Sequence, residues 1–175
     1  MPIDETRAFR PVRIALLTVS DTRTAAEDKS GDILADRIAA AGHILAERAL
    51  LKDDAADIVA LLHRWVDDAM IDCIIVTGGT GLTGRDVTPE ALAQLGGKDI
   101  PGFGEIFRWL SFAKIGTSTI QSRACAVVAR GTYVFALPGS TGAVKDGWDD
   151  ILVHQLDSRF RPCNFVELMP RLREV

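Results

Sequence analysis

Apolar and polar residues follow two patterns along the chain. Residues 13–19 and 73–76 are nearly continuous apolar runs, which is typical of strands that are covered on both faces of a sheet. Residues 58–69 instead repeat apolar side chains every three or four positions, the pattern of a helix with one buried face. Strands that alternate with amphipathic helices predict an α/β fold, a three-layer α/β/α sandwich with a mostly parallel sheet and helices on both faces.

The same patterns predict the remaining elements. Further strands are expected at 43–50, 124–129 and 132–137, the last two joined at Arg130-Gly131. Further helices are expected from an N-cap at Ser30, from an N-cap at Thr88 with Pro89 in the first helical position, at 105–113 and from 143 to 156, with an irregular link at 100–104. Residues 1–12 are predicted to form a flexible N-terminal arm, and residues 13–175 a single domain.

Composition limits the classes of protein that this chain can represent. Its 175 residues, with 47% hydrophobic and 25% charged side chains, suit one globular domain rather than a disordered chain. A net charge of −4 argues against a nucleic-acid partner, and no apolar run approaches the ~18 residues of a membrane span. The polar start of the chain does not resemble a secretory signal, and three widely spaced cysteines favour a reducing cytoplasm over disulfides or structural zinc.

A loop rich in glycine and threonine follows the apolar run at 73–76. It contains Gly78, Gly79, Gly81 and Gly84 together with Thr77, Thr80 and Thr83, and it ends in Arg85-Asp86. A strand, a glycine loop and a helix start in this order form anion sites from backbone N–H groups, so the loop predicts a phosphate site. A tight turn that only needs glycine backbone angles would explain two of the glycines, but not the whole set.

Three more polar loops follow predicted strands. Ser20-Asp21, Asp53-Asp54 and 138–140 each stand where a strand ends. In open α/β sheets the ligand crevice lies outside the carboxyl ends of the strands, so these loops are expected to form one site with the glycine loop. Ser118, Ser122 and Arg123 add hydroxyls and a guanidinium that suit phosphate or a polar heterocycle, although turns use the same small polar residues.

Asp86 places a carboxylate beside the predicted phosphate site, where its charge would repel the ligand unless a cation lies between them. Magnesium is commonly held by one or two carboxylates together with substrate phosphates. Asp53 or Asp54 could supply the second carboxylate, and Asp53 is favoured because Asp54 also suits the N-cap of the next helix. The alternative for Asp86 is a surface ion pair with Arg85, which would contribute little stability.

The glycine loop also matches the dinucleotide-binding pattern G-x-G-x-x-G over residues 79–84. The match is incomplete, because the next helix is predicted to start only at Thr88. The acidic residue expected about 20 positions later falls near Asp99, in a predicted loop. A dinucleotide-dependent oxidoreductase is therefore kept as an alternative, whereas a Walker A loop is excluded because no Gly-Lys-Ser/Thr occurs.

These motifs resemble a known family. The segments 77–81 (Thr-Gly-Gly-Thr-Gly) and 85–90 (Arg-Asp-Val-Thr-Pro-Glu) are similar to the signature of the MoaB/MogA family of molybdenum cofactor biosynthesis proteins. Supporting blocks occur in family order at 19–21, 100–105, 122–123 and 137–140. The amino acids at positions 82–84 and 115–123 resemble those of the MoaB branch of this family.

The resemblance implies a three-layer α/β fold that binds molybdopterin and assembles as a homotrimer or homohexamer. Active members of the family adenylylate molybdopterin with Mg-ATP and release pyrophosphate, which prepares the dithiolene for metal insertion. The implied cofactor is thus Mg²⁺, and the implied substrates are ATP and molybdopterin. Other proteins of the molybdenum cofactor pathway are implied as partners.

The resemblance also implies roles for individual residues. Asp86 matches the essential aspartate of the family and Asp53 its second acidic position, so both are expected to be catalytic and to hold magnesium. Ser122 matches a serine of the pterin site, and 138–140 a substrate-binding loop. The whole set expected to bind substrate is Ser20, Asp21, Thr77, Gly78, Gly79, Thr80, Gly81, Ser118, Ser122, Arg123, Pro138, Gly139 and Ser140.

Two positions depart from the family pattern. Lys52 replaces a common proline before Asp53, which could shift Asp53 by changing the local backbone, and Thr141 stands where the family often has proline. The MoaB branch also includes members whose catalytic role is in doubt. A catalytically silent paralogue that binds pterin or a partner protein is therefore the alternative to the transferase.

Overall fold

The computed structural model describes residues 3–174, which form an α/β sandwich around a six-stranded sheet. The strand order is β2-β1-β3-β6-β5-β4. The strands are β1 (Arg13–Val19), β2 (Ile44–Leu51), β3 (Cys73–Thr77), β4 (Lys98–Asp99), β5 (Cys125–Ala129) and β6 (Thr132–Leu137). Strands β1, β2, β3 and β6 run parallel, and β5 alone is reversed, because it pairs antiparallel with both β6 and β4. The mostly parallel sheet predicted from the sequence is confirmed.

Helices connect the strands and cover the sheet. They are α1 (Lys29–Ala40), α2 (Ala55–Val66), α3 (Thr88–Ala93), α4 (Pro101–Ile115), α5 (Thr141–Gly147), α6 (Val153–Gln155) and α7 (Phe165–Leu168). A π-helical turn, Trp148–Leu152, joins α5 to α6, and a 3₁₀ helix, Gly116–Gln121, follows α4.

Apolar side chains form one core on each face of the sheet. Along β1, Ile14 and Leu16 pack with α1, α4 and α5, whereas Ala15 and Leu17 face the opposite way and pack with α2 and α3. The strand pleat sends alternate side chains to opposite faces, so a strand in the middle of the sandwich must be apolar throughout. This explains the continuous apolar runs in the sequence.

Several helices begin at residues other than those predicted from the sequence. The N-cap of α1 is Asp28 rather than Ser30, because its carboxylate accepts a hydrogen bond from the Gly31 amide at 3.0 Å. Thr88 is the first residue of α3 and not its cap, and its hydroxyl donates to the Gly78 carbonyl at 2.9 Å. The irregular link expected at 100–104 is wrong, since α4 already begins at Pro101.

The first described residues lie against the end of the domain. Ile3 forms a β-bridge with Phe160, and the Arg10 amide donates to the Ser158 hydroxyl at 2.9 Å. Val12 is buried in the core, where its amide donates to Nδ1 of His43 at 3.2 Å. Residues 3–12 of the predicted arm are therefore attached to the domain at several points.

Within residues 3–174, no helix has both the length and the apolar character needed to cross a bilayer.

Candidate functional site

A cavity of about 720 Å³ lies at the edge of the sheet where β1, β3 and β6 end. Because these strands are parallel and adjacent, the loops that follow them meet at the same place. Most of the residues that the sequence predicted as a site line this cavity: Ser20, Asp21, Asp53, Gly78, Gly79, Thr80, Gly81, Asp86, Ser118, Ser122, Pro138, Gly139 and Ser140.

The glycine loop brings its backbone close to two neighbouring loops. Gly78 and Gly79 have φ angles of 105° and 62°, in the left-handed region that favours glycine. A Cβ atom on Gly79 would lie 2.9 Å from a carboxylate oxygen of Asp53, and one on Gly139 would lie 3.2 Å from Cα of Gly78. Glycine is therefore required here by both the turn and the close approach of the loops.

Asp86 is held by the turn that precedes it. One of its carboxylate oxygens accepts hydrogen bonds from the amide and the hydroxyl of Thr83, at 2.8 Å and 2.6 Å. The Thr83 hydroxyl is the main reason that the pKa of Asp86 lies below its ordinary value. Asp86 is thus a carboxylate kept ionised at the wall of the cavity.

Asp53 occupies a different electrostatic environment. Burial raises its pKa above the ordinary value, and the charges of Asp21 and Asp86 raise it further. Its amide donates to an Asp21 oxygen at 3.3 Å, and Lys52 before it does not remove it from the cavity wall. Asp54 points elsewhere and caps α2 by accepting from the Ala56 amide at 2.9 Å.

The pairing of Arg85 with Asp86, considered from the sequence, is wrong. The Arg85 guanidinium forms its ion pair with Asp21, on the loop after β1, and this contact lowers the pKa of Asp21. Arg85 is mostly exposed, so the pair is weak by itself. Arg85 is thus bound to Asp21, and among the described residues neither Asp53 nor Asp86 has a salt bridge.

The carboxylates of Asp53 and Asp86 suit a metal ion whose remaining ligands come from substrate phosphates and water. In residues 3–174, no group of three or more His, Cys, Asp and Glu side chains is arranged to hold a metal ion. Asp53 nevertheless feels the repulsion of two other carboxylates, which a cation between them would relieve. Two carboxylates completed by phosphate oxygens and water are a common magnesium environment.

Two residues predicted to bind substrate lie outside the lining of the cavity. Thr77 is buried and its hydroxyl donates to the Pro138 carbonyl at 3.2 Å, which ties the ends of β3 and β6 together. The Arg123 guanidinium contacts the outer side of the glycine loop, with Nε 2.7 Å from the Gly81 carbonyl oxygen. Both residues shape the loops rather than the cavity surface.

The cavity also contains cations that the sequence reasoning missed. Arg23 lines it, with its guanidinium donating to the Gly139 carbonyl at 2.8 Å and to the Ser30 hydroxyl at 2.5 Å. Lys114, near the end of α4, also lines the cavity and forms an ion pair with Asp146 at 2.6 Å. Arg23 follows the polar loop at 20–22 and was detectable on that ground, whereas no motif marks Lys114.

One part of the cavity wall is apolar. Phe107 and Ile115 of α4 line it beside the hydroxyls of Ser111 and Ser118. Apolar surface with a few polar groups is typical of sites that bind heterocycles. The cavity therefore combines a surface for a ring system with a glycine loop and carboxylates suited to phosphates and a cation.

Comparisons with known proteins agree with this description. Residues 15–158 match the family model described as a probable molybdopterin binding domain. The chain is 48% identical over 157 residues to Molybdenum cofactor biosynthesis protein B of Escherichia coli K12, which covers 90% of this chain and 92% of that protein. It is 41% identical over 159 residues to the protein of the same name from Bacillus subtilis, covering 89% and 94%.

Solved structures show the same fold. A crystal structure of Molybdenum cofactor biosynthesis protein B superimposes with a TM-score of 0.86 at 34% identity, covering 97% of this chain and all of that one. The tungsten cofactor synthesizing protein MoaB from Pyrococcus furiosus superimposes with a TM-score of 0.79 at 30% identity, covering 95% and 100%.

Proposed function

The chain belongs to the MoaB/MogA family of molybdopterin-binding, molybdenum cofactor biosynthesis proteins, and on this basis we propose that it adenylylates molybdopterin with Mg-ATP. The products would be adenylyl-molybdopterin and pyrophosphate. Membership of the family indicates the pathway, and the residues that line the cavity support the proposed reaction.

The observation that carries the proposal is the position of Asp53 and Asp86 on the wall of one cavity with the glycine loop. A Cβ atom on Gly79 would lie 2.9 Å from an Asp53 oxygen, and one on Gly81 would lie 2.8 Å from an Asp86 oxygen, so both carboxylates are adjacent to the same loop backbone. Phosphate, a cation and carboxylates meet in this way at sites that transfer nucleotidyl groups. A simple pterin carrier would not need this pair of unbridged acids.

In the proposed reaction an oxygen of the terminal phosphate of molybdopterin attacks the α-phosphorus of ATP. The new oxygen–phosphorus bond forms as the bond to the bridging oxygen breaks, and pyrophosphate leaves with the electron pair. Backbone N–H groups of residues 78–81 would donate to phosphate oxygens, and Asp53 and Asp86 would hold magnesium. Magnesium, when bound, neutralises the charge that develops on the leaving pyrophosphate.

Positioning is the main contribution that the chain makes in this proposal. The apolar wall at Phe107 and Ile115 would bind the pterin ring, and Ser118 and Ser122 would donate to its polar edge. Holding two reactants in line replaces a bimolecular encounter, an effect worth ~7–11 kcal/mol in favourable cases. The reaction requires no covalent nucleophile.

The test is a product assay. The pure protein is incubated with molybdopterin, ATP and magnesium, and adenylyl-molybdopterin and pyrophosphate are measured. Product formation that depends on Asp86 supports the transferase. Molybdopterin binding without pyrophosphate release would instead identify a silent paralogue, and binding of NAD(H) or NADP(H) would favour the dinucleotide alternative.

We also propose a cytoplasmic homotrimer or homohexamer that interacts with other proteins of the pathway. An apolar surface on α4 and the following 3₁₀ helix, here called the α4 apolar surface, supports self-association. It consists of Ile106, Trp109, Phe112, Ile115 and Ile120, all substantially exposed. Large exposed apolar side chains concentrated on one helix and the segment after it are typical of protein interfaces. Light scattering of the purified protein gives the mass.

A further inference from the structure

Arg123 closes the turn that leads to Asp86 from the outside. Its Nε donates to the Gly81 carbonyl at 2.7 Å, and its Nη2 donates to the Asp86 carbonyl at the same distance. The third nitrogen, Nη1, pairs with the Glu90 carboxylate, and the Arg123 amide donates to the Thr80 carbonyl at 3.1 Å. Every nitrogen of this side chain therefore has a partner within the protein.

The geometry of these bonds restrains the turn. A guanidinium is a planar, rigid fork, so two carbonyls bound by one guanidinium are held at a set separation. Gly81 and Asp86 are the two ends of the turn at 81–86. From the inside, the Asp86 carboxylate binds Thr83 of the same turn. The turn is thus tied on both sides, and the carboxylate and its backbone are fixed together.

We propose that Arg123 is a positioning residue that holds the Asp86 carboxylate at the cavity wall, and that it is not a ligand of substrate phosphate. This inference rests on the proposed function, because Asp86 matters through its part in that reaction. Glu90 completes the arrangement by neutralising the guanidinium, and both residues lie outside the cavity lining. Arg123 and Glu90 are 33 positions apart in the sequence, and their ion pair supports the turn that carries Asp86.

The two possible roles of Arg123 predict different kinetics. Loss of a phosphate ligand would weaken ground-state binding and raise KM for ATP or molybdopterin. Loss of a positioning residue would leave binding nearly intact and lower kcat, because the carboxylate is misplaced when charge develops. Arg123→Lys is informative because it keeps the charge but cannot reproduce the two-carbonyl fork.

The experiment compares Arg123→Gln and Arg123→Lys with the unchanged protein. We expect kcat to fall at least ~10-fold in both variants, with equilibrium dissociation constants for ATP and molybdopterin within about twofold. Amide hydrogen exchange in residues 80–88 should become faster, because the turn loses its outer restraint. Exchange in β1 and β3 should stay unchanged, which shows that the variants fold.

The matched control is Arg130→Gln. Arg130 also forms an exposed ion pair, with Asp67, but at the turn between β5 and β6. This variant should keep both the kinetics and the exchange in residues 80–88. Weakened ATP or molybdopterin binding by Arg123→Lys with unchanged exchange would overturn the proposal. Absence of product with the unchanged protein would reject the transferase instead, and the exchange and binding data would still decide the role of Arg123.

Discussion

The carboxylate of Asp86 occupies the space that a side chain at Gly81 would need. A Cβ atom on Gly81 would lie 2.8 Å from one Asp86 oxygen and 3.0 Å from its Cγ. Real Cβ contacts are almost never so short, so the glycine is the condition for placing this acid at the cavity wall. The glycine loop thus makes room for the proposed catalytic carboxylate as well as for the predicted phosphate.

Gly81→Ala should displace Asp86. The new methyl group would push the carboxylate away from Thr83, and we expect the adenylyl-transfer rate to fall at least ~10-fold through lost positioning. Gly84→Ala is the control in the same loop, because nothing lies within 4 Å of its Cβ position. Equal transfer rates for the two variants would contradict this account.

Asp86→Asn should lower turnover by at least ~10²-fold while molybdopterin affinity changes little, because stabilisation is lost mainly in the transition state. Steady-state kinetics and equilibrium titration with molybdopterin measure the two quantities separately. A variant as fast as the unchanged protein would remove Asp86 from the mechanism.

Asp53→Asn should raise stability at neutral pH while it lowers activity. The pKa of Asp53 is raised in the folded protein, so its ionisation opposes folding at a pH above that folded value, and the opposition fades as pH falls through it. Urea unfolding at pH 7 should therefore show a higher midpoint for the variant. The difference should shrink as pH falls through the folded pKa and should be absent below pH ~4, the ordinary pKa of an aspartate.

Asp86→Asn supplies the contrast in the same unfolding measurements. The pKa of Asp86 is lowered, so its carboxylate stabilises the fold above the ordinary pKa and loses that effect as pH falls through the folded value. This variant should not gain stability at pH 7. A gain with Asp86→Asn and none with Asp53→Asn would show that the electrostatic description of the cavity is wrong.

Trp109→Lys should dissociate the proposed oligomer. Trp109 is 72% exposed and belongs to the α4 apolar surface, where a charge would be costly to bury in an interface. Met70→Lys is the control, because Met70 is 62% exposed on a different part of the molecule. Light scattering should give a smaller mass only for the first variant, and an unchanged mass would place the interface elsewhere.

Much of the fold was predictable from local sequence patterns. The apolar runs of β1 and β3 and the periodic face of α2 specify their elements because each pattern matches one backbone geometry. The Arg130-Gly131 turn between β5 and β6 was likewise found, where both residues adopt positive φ angles. The start of α4 was missed, because glycines and a proline at its first turn resemble a loop.

The features of the candidate site also differ in whether local sequence or tertiary packing determines them. By itself the sequence determined the strand-end loops, the acid at position 86 and the capping role of Asp54, since each depends on neighbours within a few residues. Only the tertiary structure decided that Arg85 pairs with Asp21, that Arg23 and Lys114 line the cavity, and that Arg123 faces the outside of the loop. These relations depend on the order β2-β1-β3-β6 and on packing between distant segments, which side-chain patterns along the chain do not encode.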